Sequence, residues 1–359
     1  MIASDIAHHR LYNQRIAQTK FEQPGQGVAW FGAMQGQDYA SVKWAVGLRC
    51  YSATEAIIEQ AIANKTIVRT WLMRGTLHLA AASDVRWMLA LLGPRIIASS
   101  ARRYRQLNLD AATFAHSDKI LTKTLQDGRP VTRAGILLAL QEAGISTAGQ
   151  RGYHILGRAG LKGLICFGPI QGKQETFVLL DQWLPPGKNL ERGEALAELA
   201  RRYFRSHGPA TLPDFVWWSG LPVADARSGL ERARARLHQE KIKEQVYWLP
   251  QNQPASTTPS PTVYLLPAFD EYFLGYKDRT AVLDPKYNKQ AVSSNGIFRP
   301  VMVLDGQVVG IWKRTLKKRE ALIKLAPFNS LTAAENEAFL RAANQYGAFL
   351  GLPASNDER

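Results

Sequence analysis

The sequence predicts an α+β fold: three tandem winged-helix (helix-turn-helix) units followed by a small C-terminal β-barrel. Three observations predict it. A pattern of helix, turn, helix and β-hairpin recurs along the first 250 residues. A stretch rich in Pro, Ser and Thr, 251–261, then interrupts the chain as a linker. Beyond it, apolar residues run together or alternate with polar ones, as they do in strands with a buried face. With 359 residues, 46% of them hydrophobic, the chain is long and apolar enough for several packed domains.

Taken in order, the first unit is expected over 1–108. Ser52-Ala53-Thr54-Glu55 has the spacing of a capping box and opens a helix ending near Asn64. Strands follow at 67–72 and 76–80, around Met73-Arg74-Gly75. The second unit is expected over 109–187. Pro130-Val131-Thr132 opens a helix through Glu142, Gly144 and Gly149 break the chain, and another helix carries Arg151, His154, Arg158 and Lys162. Segments 164–167 and 176–180 then flank Gly168-Pro169-Ile170-Gln171-Gly172, the pattern of a hairpin wing. The third unit, 188–250, is the clearest. Thr211-Leu212-Pro213-Asp214 is a helix start, with a capping hydroxyl, a first-turn proline and an early acid. Phe215, Val216 and Trp218 supply its apolar face, and Ser219-Gly220-Leu221-Pro222 is the turn. An arginine-rich helix is expected over 223–238, then an alternating strand over 241–248. In such a unit the second helix is the one that enters the major groove.

After the linker, the β-barrel is expected over 262–325, with strands at 263–266, 297–304 and 307–312. Asp305-Gly306 between the last two is a hairpin-turn dipeptide. A C-terminal helix and tail fill 326–359, the helix capped by the Thr332 to Glu335 spacing. Phe339, Ala342, Ala343, Tyr346 and Leu350 make an apolar face that docks it on a core.

Charge narrows the function. Forty-five Lys and Arg against thirty Asp and Glu give a net charge of +15, which favours a polyanionic partner. The basic residues cluster with aromatic and apolar ones. Arg102, Arg103 and Arg105 surround Tyr104; Arg201 and Arg202 precede Tyr203; Lys313 and Arg314 follow Trp312. Arg151, Arg158 and Lys162, and Arg227, Arg232, Arg234 and Arg236, lie on the second helices of their units. All fourteen are candidate DNA contacts; taken singly, each cluster reads equally well as a solvated helix face.

Other classes are disfavoured. The two cysteines, Cys50 and Cys166, have no CxxC partner, and the seven histidines show no metal-ligand spacing, so no metal and no cofactor is expected. The first residues lack the basic-then-apolar pattern of a signal peptide. No apolar run reaches the ~20 residues of a membrane span. The expected location is therefore cytoplasmic, associated with the nucleoid, without membrane contact.

The site candidate is Gln35-Gly36-Gln37-Asp38, a polar signature in an apolar neighbourhood where a loop enters a helix. An amide both donates and accepts, so two of them can hold a water beside a cation-like sugar. On residues alone, capping and backbone satisfaction are the favoured explanation of the glutamines. Asp38 reads more simply as an acid at a helix start than as a source of negative potential in the site. Arg74, Thr76 and His78 alternate along a strand-like segment and are candidate neighbours. Asp270 and Glu271 are paired acids; being adjacent, on a strand they would face opposite ways, and they read as fold or salt-bridge residues joining the β module to a basic neighbour.

Five segments, 32–49, 69–87, 207–221, 265–279 and 295–314, carry a resemblance that spans nearly the whole chain. They resemble the winged-helix DNA-binding family that contains the AlkZ and AlkX alkylpurine and crosslink DNA glycosylases. That family's fold is three tandem winged helices and a β-barrel arranged around DNA. Its AlkZ-like branch carries Gln-x-Gln and its AlkX-like branch Gln-x-Asp, so Gln35 and Gln37 point to the AlkZ-like branch. The middle position is usually apolar in the family and is Gly36 here. The resemblance implies that Gln35 and Gln37 are catalytic.

The chemistry suits two amides. Breaking an ordinary N-glycosidic bond takes a general acid for the leaving group and a carboxylate for the sugar cation. A purine alkylated at N7 or N3 is already cationic and leaves as a neutral base. The enzyme then needs only to stabilise the oxocarbenium-like sugar and to place a water. The expected activity is a monofunctional DNA glycosylase on N-alkylated purines and crosslinks formed through them, with double-stranded DNA as partner and a monomeric chain. No lysine stands in the motif to form a Schiff base, so strand cleavage is not expected. Two other readings stay open on sequence: a non-catalytic winged-helix regulator, and a resistance factor that sequesters an alkylating compound.

Overall fold

The computed structural model describes residues 3–17, 20–242, 244–251 and 261–356. The chain divides into two compact units, one of Met1–Ile58 with Leu196–Arg359, the other of Glu59–Ala195.

In the 59–195 unit, strands Ile67–Trp71 and Leu77–Ala81 pair antiparallel, with Ile67 opposite Ala81 and Trp71 opposite Leu77. The chain turns between them through a 3-10 segment, Met73–Gly75, in which Arg74 has φ 56°. Helix Ala82–Ser99 follows, then Ala101–Gln106 and Ala111–Leu125, the last capped by Asp110 on the Thr113 amide at 2.7 Å. Thr132 caps helix Arg133–Glu142 through the Gly135 amide at 3.2 Å, where the sequence placed the opening. Helix Arg151–Leu161 leads into strands Ile165–Phe167 and Thr176–Leu179, antiparallel to each other, with Val131–Thr132 on the far edge of Thr176–Leu179.

Trp71 is the centre of this core, 4.9 Å from the Phe167 ring and stacked on Phe177 at 6.3 Å. Helix 151–161 meets it through Gly160, where a Cβ would stand 2.3 Å from the Trp71 ring. Gly93 lets helix 82–99 approach in the same way, since a Cβ there would meet the Leu161 carbonyl at 2.3 Å. Close backbone approach is the physical reason for glycine at both positions.

In the other unit, helices Ala3–Asn13 and Pro24–Phe31 precede a short strand, Ala33–Gln35, and helix Tyr39–Leu48. Later come helices Leu212–Ser219 and Val223–Ala233 and a hairpin of Leu237–Ile242 with Gln245–Pro250. Thr211 and Asp214 form the reciprocal cap expected, with the Thr211 amide on the carboxylate at 3.0 Å and the Asp214 amide on the hydroxyl at 3.2 Å. Gly220, at φ 68°, ends that helix.

Five strands then form one curled sheet in the order Ala354–Asn356, Ala321–Pro327, Gln307–Leu316, Val301–Leu304, Val263–Leu266. Neighbours are antiparallel except the first pair, which is parallel. Asp305 and Gly306 both have positive φ, 46° and 80°, as the two-residue hairpin turn requires. Helix Ala333–Leu350, capped by Thr332 and Glu335, packs against both edge strands of this sheet.

The elements correct the sequence expectation at five points. The helix expected from Ser52 starts at Glu55; Thr54 caps it by accepting from the Ile57 amide at 3.3 Å, while Ser52 sits in a turn at φ 46°. The helix expected over 223–238 ends at Ala233, because a 3-10 turn at Arg234–Arg236 delivers Leu237 into the hairpin ladder. The strand expected from 297 begins at Val301, after Pro300. Among the described residues the C-terminal sheet does not close strand to strand: Val263–Leu266 and Ala354–Asn356 are its edge strands, and helix 333–350 packs against both. Strands Ala321–Pro327 and Ala354–Asn356 were not expected. The linker expected over 251–261 lies, over 252–260, outside the described residues.

Candidate active site

Strand Ala33–Gln35 ends on the first glutamine, and Asp38 is the N-cap of helix Tyr39–Leu48. Its carboxylate accepts the Ser41 amide at 2.9 Å, so Asp38 works as an N-cap. Between them, Gln35 is buried, at 7% exposure, and Gln37 is exposed. The motif thus presents one amide from a packed strand end and one at the surface.

The helix it enters is held firmly. Trp44 donates Nε1 to the Leu265 carbonyl at 2.8 Å and packs on the Tyr346 and Phe349 rings at 5.2 and 5.1 Å. Gly47 makes room for Phe349, whose ring would lie 2.4 Å from a Cβ there. Lys43 pairs with Glu55 at 2.7 Å.

The paired acids clamp this segment from one short turn. Asp270 caps helix Glu271–Leu274 by accepting the Tyr272 amide at 2.9 Å, and Phe269 before it is held at φ 59°. The two carboxylates therefore leave a helix start, not a strand as expected, and still diverge. Asp270 takes Arg49 in a bidentate pair, at 2.8 and 2.9 Å, with both side chains fully buried. Arg49 is the C-cap of helix Tyr39–Leu48, so Asp270 holds the far end of the helix that Gln37 precedes. Glu271 holds the near end. Its Oε1 accepts the Gln35 main-chain amide at 2.8 Å, and its Oε2 accepts Trp218 Nε1 at 2.9 Å and faces His207 Nε2 at 3.2 Å.

His207 is fully buried, stacked on Tyr203 at 4.5 Å, with Nδ1 2.8 Å from the Ser206 hydroxyl. Burial pushes its pKa down, against the hydrogen bond and charge of Glu271, which push it up. With a hydrogen on Nε2 the ring is a third donor to this carboxylate. On sequence a lone His carries no signal for His207, and Trp218 reads only as part of an apolar face, not as a donor to Glu271.

In the 59–195 unit, Thr76 caps the 3-10 turn Met73–Gly75 and His78 lies in strand Leu77–Ala81. His78 is buried, its Nδ1 3.0 Å from the Thr76 carbonyl, and Thr76 Oγ1 donates to the Met73 carbonyl at 3.1 Å. Arg74 is exposed at the turn. Thr70, opposite His78 in the ladder, is also buried, and its Oγ1 has no hydrogen-bond partner among the described residues.

The fourteen candidate DNA contacts differ in what already occupies them. Arg102, Arg105, Arg227, Arg232, Arg236 and Lys313 are exposed. Arg103 donates to Gln150 at 2.8 Å, Arg151 to the Leu107 and Asn108 carbonyls, and Arg314 to the Tyr346 hydroxyl. Arg158 and Lys162 face Asp118, and Arg234 faces Glu231 at 3.7 Å. Arg201 and Arg202 both bind Glu198, at 2.6 and 2.7 Å. Burial pushes that carboxyl up, but the two guanidinium hydrogen bonds outweigh it and hold it at about 2.

Comparison with known proteins follows the same lines. The family model described as "DNA glycosylase AlkZ-like" matches residues 28–349. A relative from Streptomyces sahachiroi, named interstrand DNA cross-link repair glycosylase, is 27% identical over 307 residues, 78% of this chain and 79% of its own. The solved structure of Streptomyces sahachiroi DNA glycosylase AlkZ superposes with a TM-score of 0.81 at 22% identity, covering 99% of both chains, and so shares the fold. The class these define is the DNA glycosylases, hydrolases acting on N-glycosyl bonds. Within it, the chain belongs to the AlkZ-like DNA glycosylase family. Among the described residues, no group of three or more His, Cys, Asp or Glu is placed to hold a metal, and no helix is long and apolar enough to cross a membrane.

Proposed function

We propose that this protein is a monofunctional glycosylase that releases cationic N-alkylated purines from double-stranded DNA and unhooks interstrand crosslinks made through such purines. The observation that carries the reading is the Gln35-Gly36-Gln37 turn: one amide buried at a braced strand end, the next exposed at the entry to a clamped helix. In this reading the amide oxygens of Gln35 and Gln37 face the sugar as it becomes cationic and hold the attacking water. The base leaves with its positive charge neutralised by bond cleavage, so no general acid is needed. The exposed basic residues bind phosphates.

The helix–turn–helix–hairpin segments support three winged-helix units as the DNA-binding frame, acting as a monomer. The name of the relative, an interstrand crosslink repair glycosylase, supports crosslinked DNA as a substrate.

The test is base release from duplex DNA carrying N7-methylguanine, with abasic sites revealed by alkali. Wild type releases the base; Gln35→Ala/Gln37→Ala binds the duplex with unchanged affinity and loses release by about 100-fold or more. Efficient excision of uracil, whose leaving group carries no charge, would sink the cationic-substrate reading.

A further inference from the structure

Glu271 brings three donors to one buried carboxylate, and one of them is the main chain of the glutamine motif. We infer that Glu271 is a positioning residue for Gln35: its carboxylate fixes the strand end from which the Gln35 side chain projects, and Trp218 and His207 fix the carboxylate. The inference rests on the reading of Gln35 and Gln37 as the catalytic pair.

The two oxygens divide the work. Oε1 accepts the Gln35 main-chain amide at 2.8 Å. Oε2 takes the indole of Trp218 at 2.9 Å and the imidazole of His207 at 3.2 Å, both from the segment after helix Arg192–His207 or its last residue. Those two rings are themselves locked. Tyr203 lies 4.5 Å from His207 and 5.0 Å from Trp218, and Phe31, just before the motif strand, meets His207 edge-on at 5.5 Å. Catalytic groups must be held to within about 0.5 Å of the productive geometry, and charge-assisted hydrogen bonds in a dry interior supply that stiffness.

Simple fold maintenance is already the task of the neighbouring acid. Asp270 with Arg49 ties the helix end to the core. Glu271 instead reaches the strand end that carries Gln35, so its loss moves the motif rather than the helix.

The experiment uses the full chain and two variants. Glu271→Gln has one acceptor oxygen; with that oxygen kept on Trp218 and His207, its NH2 faces the Gln35 N–H and the anchor is lost. Trp218→Phe keeps the carboxylate on Gln35 and removes one bond behind it. Three quantities are read: the single-turnover rate of base release from an N7-methylguanine duplex at saturating enzyme, the Kd for that duplex, and the Gln35 amide resonance with its hydrogen exchange.

For Glu271→Gln the rate falls about ten- to a hundredfold, the loss of one charge-assisted hydrogen bond, while Kd stays within about twofold. The Gln35 amide shifts upfield and exchanges faster. Trp218→Phe moves both in the same direction by less. A wild-type rate in Glu271→Gln, an unmoved Gln35 amide, or a rate loss matched by Kd would overturn the proposal. Should Glu271→Gln fail to fold, Trp218→Phe decides alone, and an unmoved amide with a wild-type rate overturns it. If wild type itself releases no base, the glycosylase reading of the glutamines has failed; the Gln35 amide still judges the anchor by itself.

Discussion

Arg49 uses all five of its N–H groups. Nε donates to the Gln14 carbonyl, Nη1 to the Ala45 carbonyl and Asp270, and Nη2 to the Gln14 side chain and Asp270. A buried pair this well satisfied holds the fold; removing one charge strands the other. Asp270→Asn is therefore expected to cost about 3–5 kcal/mol, read from the midpoint of urea unfolding. His207 gives a pH dependence. Its folded pKa lies below the ordinary 6.5, held down by burial and by the charges of Arg49 and Arg10 and pulled up by Glu271. The unfolded state thus binds the proton first, and stability that is complete above 6.5 is lost as pH falls below it. His154, lowered by burial and Arg103, acts in the same direction. Thermal melting is expected to drop from about pH 7 to about pH 5 and to drop less in His207→Gln; an equal drop in both would remove His207 as a cause.

Which residues matter was legible where local chemistry decides. Asp38 reads as an acid at a helix start, and it stands there as the N-cap. Glu271 was legible only as an acid: its partners lie 53, 64 and 236 residues away, and no local pattern encodes them.

At the scale of elements, close approach of backbone to ring is the most fragile feature. Gly160→Ala would place a methyl 2.3 Å from the Trp71 ring, in a core whose walls are helix backbone and aromatic rings. The expected cost is about 1–3 kcal/mol, measured by thermal or denaturant unfolding. Gly144→Ala, with nothing within 4 Å, tests a different effect, the φ of +79° alone. Helix starts at Thr132, Thr211 and Thr332 stood in the sequence because a cap is a local hydrogen bond. The Asp305-Gly306 turn stood there because positive φ selects its residues. The end of the arginine-rich helix did not, since Arg234–Arg236 suits a helix and only the hairpin ladder from Leu237 takes the chain away. Strand Ala354–Asn356 is three residues long and has no pattern of its own; the edge of Ala321–Pro327 makes it a strand.

At the scale of the whole molecule, the surplus of fifteen positive charges sets the expected mode of DNA binding. Each phosphate contact contributes about −0.9 to the slope of log affinity against log salt on duplex DNA. Arg232 is exposed on the second helix of the helix–turn–helix–hairpin segment, whereas Arg201 is engaged by Glu198. Arg232→Ala is expected to make the slope shallower by about 0.9, and Arg201→Ala to leave it unchanged. Equal effects in fluorescence anisotropy titrations would show that the intramolecular pairing does not decide which cations meet DNA.

The sequence by itself determined the local grammar of this protein: caps, turns, the amphipathic C-terminal helix, the basic charge and the glutamine pair at a helix entry. These are properties of a few neighbouring residues, fixed by hydrogen-bond geometry, backbone φ and apolar period. Tertiary structure decided what long-range contact alone can decide. It packed one helix against both edge strands of the C-terminal sheet, which among the described residues does not close strand to strand. It also turned Asp270 and Glu271 from an adjacent pair of acids into two separate holds on the segment from Gln35 to Arg49. A carboxylate's role depends on which donors surround it, and here those donors come from distant parts of the chain.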